Sequence, residues 1–145
     1  MPPLIRAATA SDFQAIHALL EAAGLPTADL RDSRPMFLVA VAGTDLIGAG
    51  ALEIHADTAL LRSLAVAPAW RGSGLGHRLV KALERQARAA GVHQIVLLTQ
   101  TAEAFFTRLD YRLIERARAP AAVQRSREFA ALCPASAVCL AKSLS

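Results

Sequence analysis

Cysteine and the polar aromatics are scarce in this chain of 145 residues, which has two cysteines, one tryptophan and one tyrosine. Two thiols, Cys133 and Cys139, are too few for a secreted disulfide scaffold. They also lack the four-ligand pattern that zinc requires, so no metal is expected. No apolar run approaches the roughly 20 residues of a membrane span, and Met1–Arg6 lacks a signal-peptide core. These absences point to a soluble, cytoplasmic protein with reduced thiols. Sixteen basic residues against 12 acidic ones leave a net charge of +4. That permits anionic ligands without suggesting a nucleic-acid surface. Disorder is excluded by a hydrophobic content of 54% with 19% charged residues. A chain of this size buries roughly two thirds of its surface as one domain, 1–145.

The apolar periodicity changes several times along the sequence. Leu4–Ala8 reads as a short strand. Thr9 with Asp12 three residues on resembles a helix start, and Phe13, Ile16, Leu19 and Leu20 then fall on one helical face. Gly24 and Pro26 end that helix. Residues 27–34 suggest a short second helix or a polar loop. Met36–Ala42, Leu46–His55 and Ala59–Ala67 form an antiparallel meander with little alternation, as expected of a sheet covered on both faces. A helix over Gly74–Ala90 carries Leu75, Leu79, Leu83 and Ala87. A strand over Val92–Thr99, a helix over Thr101–Leu109 and a strand over Tyr111–Arg116 follow. A helical stretch from Pro120 to Leu132 and a last strand over Ala137–Leu144 complete an α+β (mixed α/β) order.

The chemistry concentrates at Pro68-Ala-Trp70 and Arg71-Gly-Ser-Gly-Leu-Gly76, between a strand and the longest helix. Glycines at 72, 74 and 76 let backbone N–H groups approach a ligand, and the helix N-terminus adds partial positive charge. The two form a pyrophosphate cradle, with Arg71 at its mouth. A Walker loop would end in Gly-Lys-Ser/Thr, and this one ends Gly-His77. The glycine spacing and the three preceding meander strands also depart from a Rossmann fingerprint.

Leu64-Ala-Val66, Pro68 and Arg71-x-x-Gly74-x-Gly76 resemble the acetyl-CoA signature of the GNAT N-acetyltransferases. Phe105-Phe106, ahead of Tyr111, resembles their second, less specific signature, and the element order resembles their fold over essentially the whole chain. The resemblance implies a mostly antiparallel sheet of six or seven strands, splayed in a V between residues 59–67 and 92–99, with helices on both faces. Acetyl-CoA, the co-substrate, would lie in the V along Leu64, Ala65 and Val66, near Thr99 and Phe106. Its pyrophosphate would take N–H groups from Arg71, Gly72, Ser73, Gly74, Leu75, Gly76 and His77, and the N–H of Val66 would polarise the thioester. Dimers are frequent in the resembled family, so a homodimer is allowed; no nucleic-acid or membrane partner is implied.

Three positions depart from the family pattern. Phe106 stands where many members place a proton-donating Tyr, Thr99 where an Asn is usual, and Leu60 where a Glu is common. A thiol near pKa 8.5 leaves readily without a dedicated acid. An α-amine near 7.8 is roughly 14% neutral at pH 7 against about 0.04% for a lysine-type amine. Weak acid–base machinery therefore fits an α-amine, with much of the rate coming from positioning.

Glu53 and Arg62 are charges in apolar strands, which is costly unless they pair. A two-residue Asp57-Thr58 loop would place them opposite each other, and a three-residue loop would pair Glu53 with Leu61. They form either a structural ion pair or a site in which Glu53 is base or amine anchor and Arg62 grips a substrate anion. His55 shares the face of Glu53 and is a further candidate base. The basic stretch 116–136 has an end, Arg127-Glu-Phe-x-x-Leu-Cys-Pro-Ala-Ser-Ala137, that resembles small GNAT enzymes encoded with arsenic-resistance genes. So do Ala59–Val66 and Leu97–Phe106. That likeness implies a small anionic amino-acid-like acceptor carrying a phosphinate or arsinate, with Arg62 and Arg127 on the anion and Cys133 and Ser136 in a covering loop. The rival readings are a protein N-terminus or polyamine as acceptor, a CoA-binding module without transfer, and an arsenic or redox sensor built on the two cysteines.

Overall fold

The computed structural model describes residues 2–132 and 136–144. Seven strands form one sheet: β1 (Leu4–Ala7), β2 (Met36–Ala42), β3 (Asp45–His55), β4 (Thr58–Val66), β5 (Gln94–Thr99), β6 (Arg112–Ile114) and β7 (Val138–Ser143). Their spatial order is β1-β2-β3-β4-β5-β7-β6. Every neighbouring pair is antiparallel except β4–β5, which is parallel. The helices are α1 (Phe13–Ala22), α2 (Leu30–Ser33), α3 (Leu75–Ala89), α4 (Glu103–Thr107) and α5 (Ala121–Gln124), the last followed by a π-type turn at Glu128–Leu132. No helix among the described residues is long and apolar enough to cross a membrane.

Both faces of the sheet are covered, which explains the missing alternation in β2–β4. On one face, Leu52, Ala59 and Leu61 pack with Leu83 of α3, Phe106 of α4 and Tyr111. On the other, Ala49 and Ala65 meet Ile16 and Leu20 of α1, while Leu60 and Val96 meet Val123 and Phe129. At the start of α1, the Asp12 carboxylate accepts the N–H of Thr9 at 2.8 Å, as the Thr9/Asp12 spacing predicts.

Two expectations change. The strand from Tyr111 shortens to Arg112–Ile114, and a 3-10 turn at Arg116–Arg118 follows. The helical stretch from Pro120 to Leu132 is not continuous. The side chain of Gln124 turns back to donate to the carbonyls of Ala117 and Ala119. The Ser126 hydroxyl accepts the N–H of Phe129 at 3.3 Å, so side chains compete with the helix ladder and the chain re-enters as the π-type turn.

A second polar cluster lies beneath α3. Glu84 is fully buried, accepts from the Tyr111 hydroxyl at 3.0 Å and pairs with Lys142 at 3.1 Å. Burial and then the Glu84 charge push the Tyr111 phenol far above its ordinary value. Lys142→Met should therefore cost about 3 kcal/mol, because it leaves the buried carboxylate with only the more exposed Lys81, 3.6 Å away. Glu84→Leu/Lys142→Met should recover most of that loss in urea unfolding.

Candidate active site

The cleft begins where pairing between β4 and β5 stops. Their parallel register runs Thr58–Gln94, Ala59–Ile95 and Leu60–Val96. Beyond it, β4 stays with β3 and β5 stays with β7 out to Thr99, so the two strands diverge. A bulge sharpens the opening. Ala51 faces Arg62 and Ala49 faces Ala65, so Ser63 and Leu64 together oppose Gly50. Ser63 takes the left-handed conformation, φ 58°. At Gly50 an added Cβ would lie 2.8 Å from Leu83 Cδ1 and 3.1 Å from Leu64 Cδ1, so these leucines would have to shift to admit one.

The bulge reverses the facing of the strand. Leu61 packs towards α3 before it; after it, Leu64 and Val66 do so while Ala65 packs on α1. Ala67 donates its N–H to Ile47 at 2.8 Å. The alternation of an antiparallel ladder then turns the N–H groups of Leu64 and Val66 away from β3 and into the cleft. Ala65, between them, has its backbone in register with Ala49 and its side chain buried against α1.

The glycine loop lies at the mouth. Gly72 and Gly74 have φ of 79° and 88°, and an added Cβ at either would meet nothing within 4 Å, so the loop has space for a ligand. Gly74 at the start of α3 has no side chain to cap it, and the Leu75 N–H makes only a long 3.4 Å bond to the Ser73 hydroxyl. The first N–H groups of a helix have no intrahelical acceptor, which leaves those of Gly76 and His77 able to face an anion. The Ser73 hydroxyl donates to the Trp70 carbonyl, and Arg71 Nε donates to the Val66 carbonyl at 3.3 Å. Gly76 serves packing: an added Cβ would stand 3.3 Å from the Phe105 ring of α4.

Thr99 and Phe106 line a cavity of about 140 Å³ in the cleft, with Ser63, Leu64, Arg62 and Glu128. The Thr99 hydroxyl accepts the N–H of Ala102 at 3.0 Å and so starts α4. Phe106 is buried edge-on to Phe105 and Tyr111. The chain's single tyrosine is directed at Glu84, away from the cleft.

The charges on the opposite face form one network around Arg62, whose side chain has no exposed surface. Its guanidinium binds Asp29 through two N–H groups at 2.5 and 2.8 Å, Glu53 at 2.7 Å and the Ser63 hydroxyl at 3.2 Å. Glu128 Oε1 lies 3.5 Å from Nε. An acceptor anion would have to displace a carboxylate to reach Arg62. The expected register of Glu53 is corrected. The turn is Ala56-Asp57, with Ala56 at φ 59°, and Glu53 faces Leu60. Glu53 reaches Arg62 diagonally on the same face, and its other oxygen lies 3.2 Å from His55 Nε2. Both of its oxygens are thus engaged, and neither it nor His55 lines the cavity.

Sequence reasoning missed Asp29 and Glu128. Asp29 lies 33 residues from its partner, and no local pattern signals that pairing. Burial pulls Asp29 upward, but hydrogen bonds from Arg62 and Ser33 outweigh it and hold the carboxyl below its ordinary value. Burial pushes Glu128 up to about 7, with Arg62 opposing and Glu53 and Asp29 reinforcing. Arg127 is exposed beside it, 3.3 Å from Asp32. Ser136 is exposed and accepts from Gln100 at 3.0 Å. Cys133 lies outside the described residues, and Cys139 is a buried thiol raised to about 11. No group of His, Cys, Asp and Glu suited to a metal ion occurs among the described residues.

Arg62→Met should cost about 3–5 kcal/mol near pH 7, because it strands buried carboxylates. The Asp29 part of this stabilisation is complete above the unfolded value near pH 4 and is lost as pH falls through its depressed native value. The gap between wild type and Arg62→Met in urea should therefore narrow in acid.

Comparison with known proteins bears on this geometry. The family model described as "Acetyltransferase (GNAT) family" matches residues 5–111. None of the curated proteins matches significantly. Among solved structures, N-acetylglutamate synthase from Neisseria gonorrhoeae, complexed with coenzyme A and N-acetyl-glutamate, superposes with a TM-score of 0.84 at 22% identity over 99% of this chain. This chain spans only 35% of that synthase. The protein Rv2747 from Mycobacterium tuberculosis, in complex with CoA and NLQ, gives 0.83 at 28% identity over 99% of this chain and 100% of its own. The ribosomal-protein-S18-alanine N-acetyltransferase from Escherichia coli gives 0.75 at 16% identity, over 99% of this chain and 94% of its own. With the family model spanning the splayed strands, the bulge and the glycine loop, the chain belongs to the acetyltransferase (GNAT) family.

Proposed function

We propose that the protein is an N-acetyltransferase that moves an acetyl group from acetyl-CoA to the amine of a small amino-acid-like acceptor bearing an anionic group. The observation that carries this reading is the cleft itself. The glycine loop that would cradle the phosphates stands at one end, the strand alternation turns the Val66 N–H into the middle, and the Glu128 carboxylate lines the cavity that would take the acceptor. The relative at 28% identity holds CoA together with a second small ligand, which fits a small acceptor.

The first N–H groups of α3 bind the pyrophosphate, and the backbone edge of Leu64 and Val66 aligns the pantetheine. The amine attacks the thioester carbon, and the Val66 N–H stabilises the charge developing on oxygen. The carbon–sulfur bond then breaks. With no tyrosine in the cleft, the thiolate leaves unassisted, as a thiol near pKa 8.5 can. Arg62 holds the acid cluster in place. The exposed guanidinium of Arg127 is the contact for the acceptor anion, with Ser136 on the far rim; for Cys133 the same covering role is part of the proposal.

Gly74→Glu should weaken CoA binding about 100-fold in calorimetry, because a side chain at φ 88° strains the loop and a carboxylate faces the pyrophosphate. Thiol release from acetyl-CoA against amino acids, phosphinate- and arsinate-bearing amino acids, polyamines and N-terminal peptides tests the acceptor class. Turnover concentrated on the anionic amino acids, with KM raised by Arg127→Ala, is the expected result. Preference for polyamines or peptides would overturn the acceptor, and CoA binding without turnover on any amine would overturn the enzyme.

A further inference from the structure

We propose that Glu128, carried on the π-type turn after α5, is the group that takes the proton from the acceptor ammonium before attack. The proposal rests on the acetyltransferase reading above. Its first support is elimination within the cleft. Among the described residues that line the cavity, Arg62 and Glu128 are the only ionisable ones, and an arginine does not give up its charge to act as a base. Glu53 has one oxygen on Arg62 and the other on His55, while Tyr111 is turned towards Glu84 beneath α3.

The second support is charge balance. Asp29 from the segment before α2, Glu53 from β3 and Glu128 surround Arg62 of β4, so three carboxylates meet one guanidinium. Arg62 binds Asp29 at 2.5 Å and Glu53 at 2.7 Å but stands 3.5 Å from Glu128. With two carboxylates ionised the cluster already has one negative charge in excess of Arg62, and ionising the third adds another; Glu128 is the member Arg62 holds least tightly. An incoming ammonium offsets the charge that Glu128 adds. Ser63 also faces the cluster, with its hydroxyl on Arg62, while Arg127 and Asp32 pair outside it.

Proton affinity agrees with this placement. A glutamate at its usual pKa near 4.3 would take a proton from an α-ammonium near 7.8 with an equilibrium unfavourable by about 3,000-fold. At about 7, as in this network, the penalty falls to about sixfold. The ammonium gives one proton to the Glu128 carboxylate, which releases it to solvent. The neutral amine forms the new C–N bond as the C–S bond breaks, and the second nitrogen proton leaves to the CoA thiolate.

The test compares wild type, Glu128→Gln and Glu128→Asp on two acceptors: an amino acid and an alkoxyamine that is already neutral at pH 7. Wild-type kcat/KM for the amino acid should show an acidic limb near pH 7. Glu128→Gln should lose about 100-fold on the amino acid at pH 7, the low end of general-base effects. Its remaining activity should follow the ionisation of the amine alone, and its loss on the alkoxyamine should stay within about threefold. Glu128→Asp should keep the acidic limb at reduced rate. Thermal unfolding separates a structural role. A native pKa above the unfolded value means that stability falls as pH rises through about 7, so Glu128→Gln should melt at least as high as wild type at pH 8 and gain less at pH 5. Equal losses on both acceptors, or an unchanged amino-acid profile in Glu128→Gln, would overturn the role of Glu128 and leave the acetyltransferase reading intact. Failure of wild type with both amines and the wider panel would overturn both.

Discussion

A buried guanidinium is the constraint around which the acceptor side is organised. Arg62 has no exposed surface, and an unpaired charge there would be prohibitive. Its pairing draws in Glu53 from β3, Asp29 from before α2 and Glu128 from the turn after α5. The neighbouring hairpin strand and two segments remote in sequence therefore converge on one residue of β4. The bulge begins at the next residue, Ser63, whose hydroxyl accepts from the same guanidinium. The charge network and the backbone distortion that opens the cleft are thus built on adjacent residues.

The cleft has two halves with different physics. The half proposed for CoA is almost entirely backbone: N–H groups at the start of α3, and a strand edge freed because β5 departs after Val96. Glycine at 72 and 74 and the missing side chain at Gly50 are what this half asks of the sequence. The acceptor half is side-chain chemistry in a water-poor setting, where three carboxylates and one arginine leave a site suited to a cation. An ammonium that binds there must lose its proton to react. The neighbouring carboxylates that attract it also add to the burial that raises Glu128 towards the affinity that such a transfer needs.

This division explains what was legible in the sequence. The glycine loop, the meander, α3 and the Thr9–Asp12 helix start are local patterns and could be read directly. The sheet order and the cleft followed from the family likeness carried by Arg71–Gly76. The acceptor side was legible only in part. Glu53 and Arg62 stood out as charges in apolar strands, but their register depended on the turn, read as Asp57-Thr58 or as a three-residue loop. The observed two-residue turn, Ala56-Asp57, lies one residue earlier and puts Glu53 opposite Leu60. Asp29 and Glu128 lie in polar stretches where a carboxylate attracts no notice, and only folding brings them to Arg62. The break in the helical stretch after Gln124 was hidden because the apolar spacing of Val123, Phe129 and Leu132 suits a continuous helix, while Ser126 and Gln124 divert the backbone.

The most direct test of this account is a crystal structure with CoA and an N-acetylated amino acid bound together. The account predicts the acetyl oxygen within about 2.7–3.1 Å of the Val66 nitrogen. It also predicts the acetylated nitrogen in hydrogen-bond reach of the Glu128 carboxylate, directly or through one water. A product bound away from the Val66 N–H, or a nitrogen facing Glu53 or His55 while Glu128 points elsewhere, would contradict it.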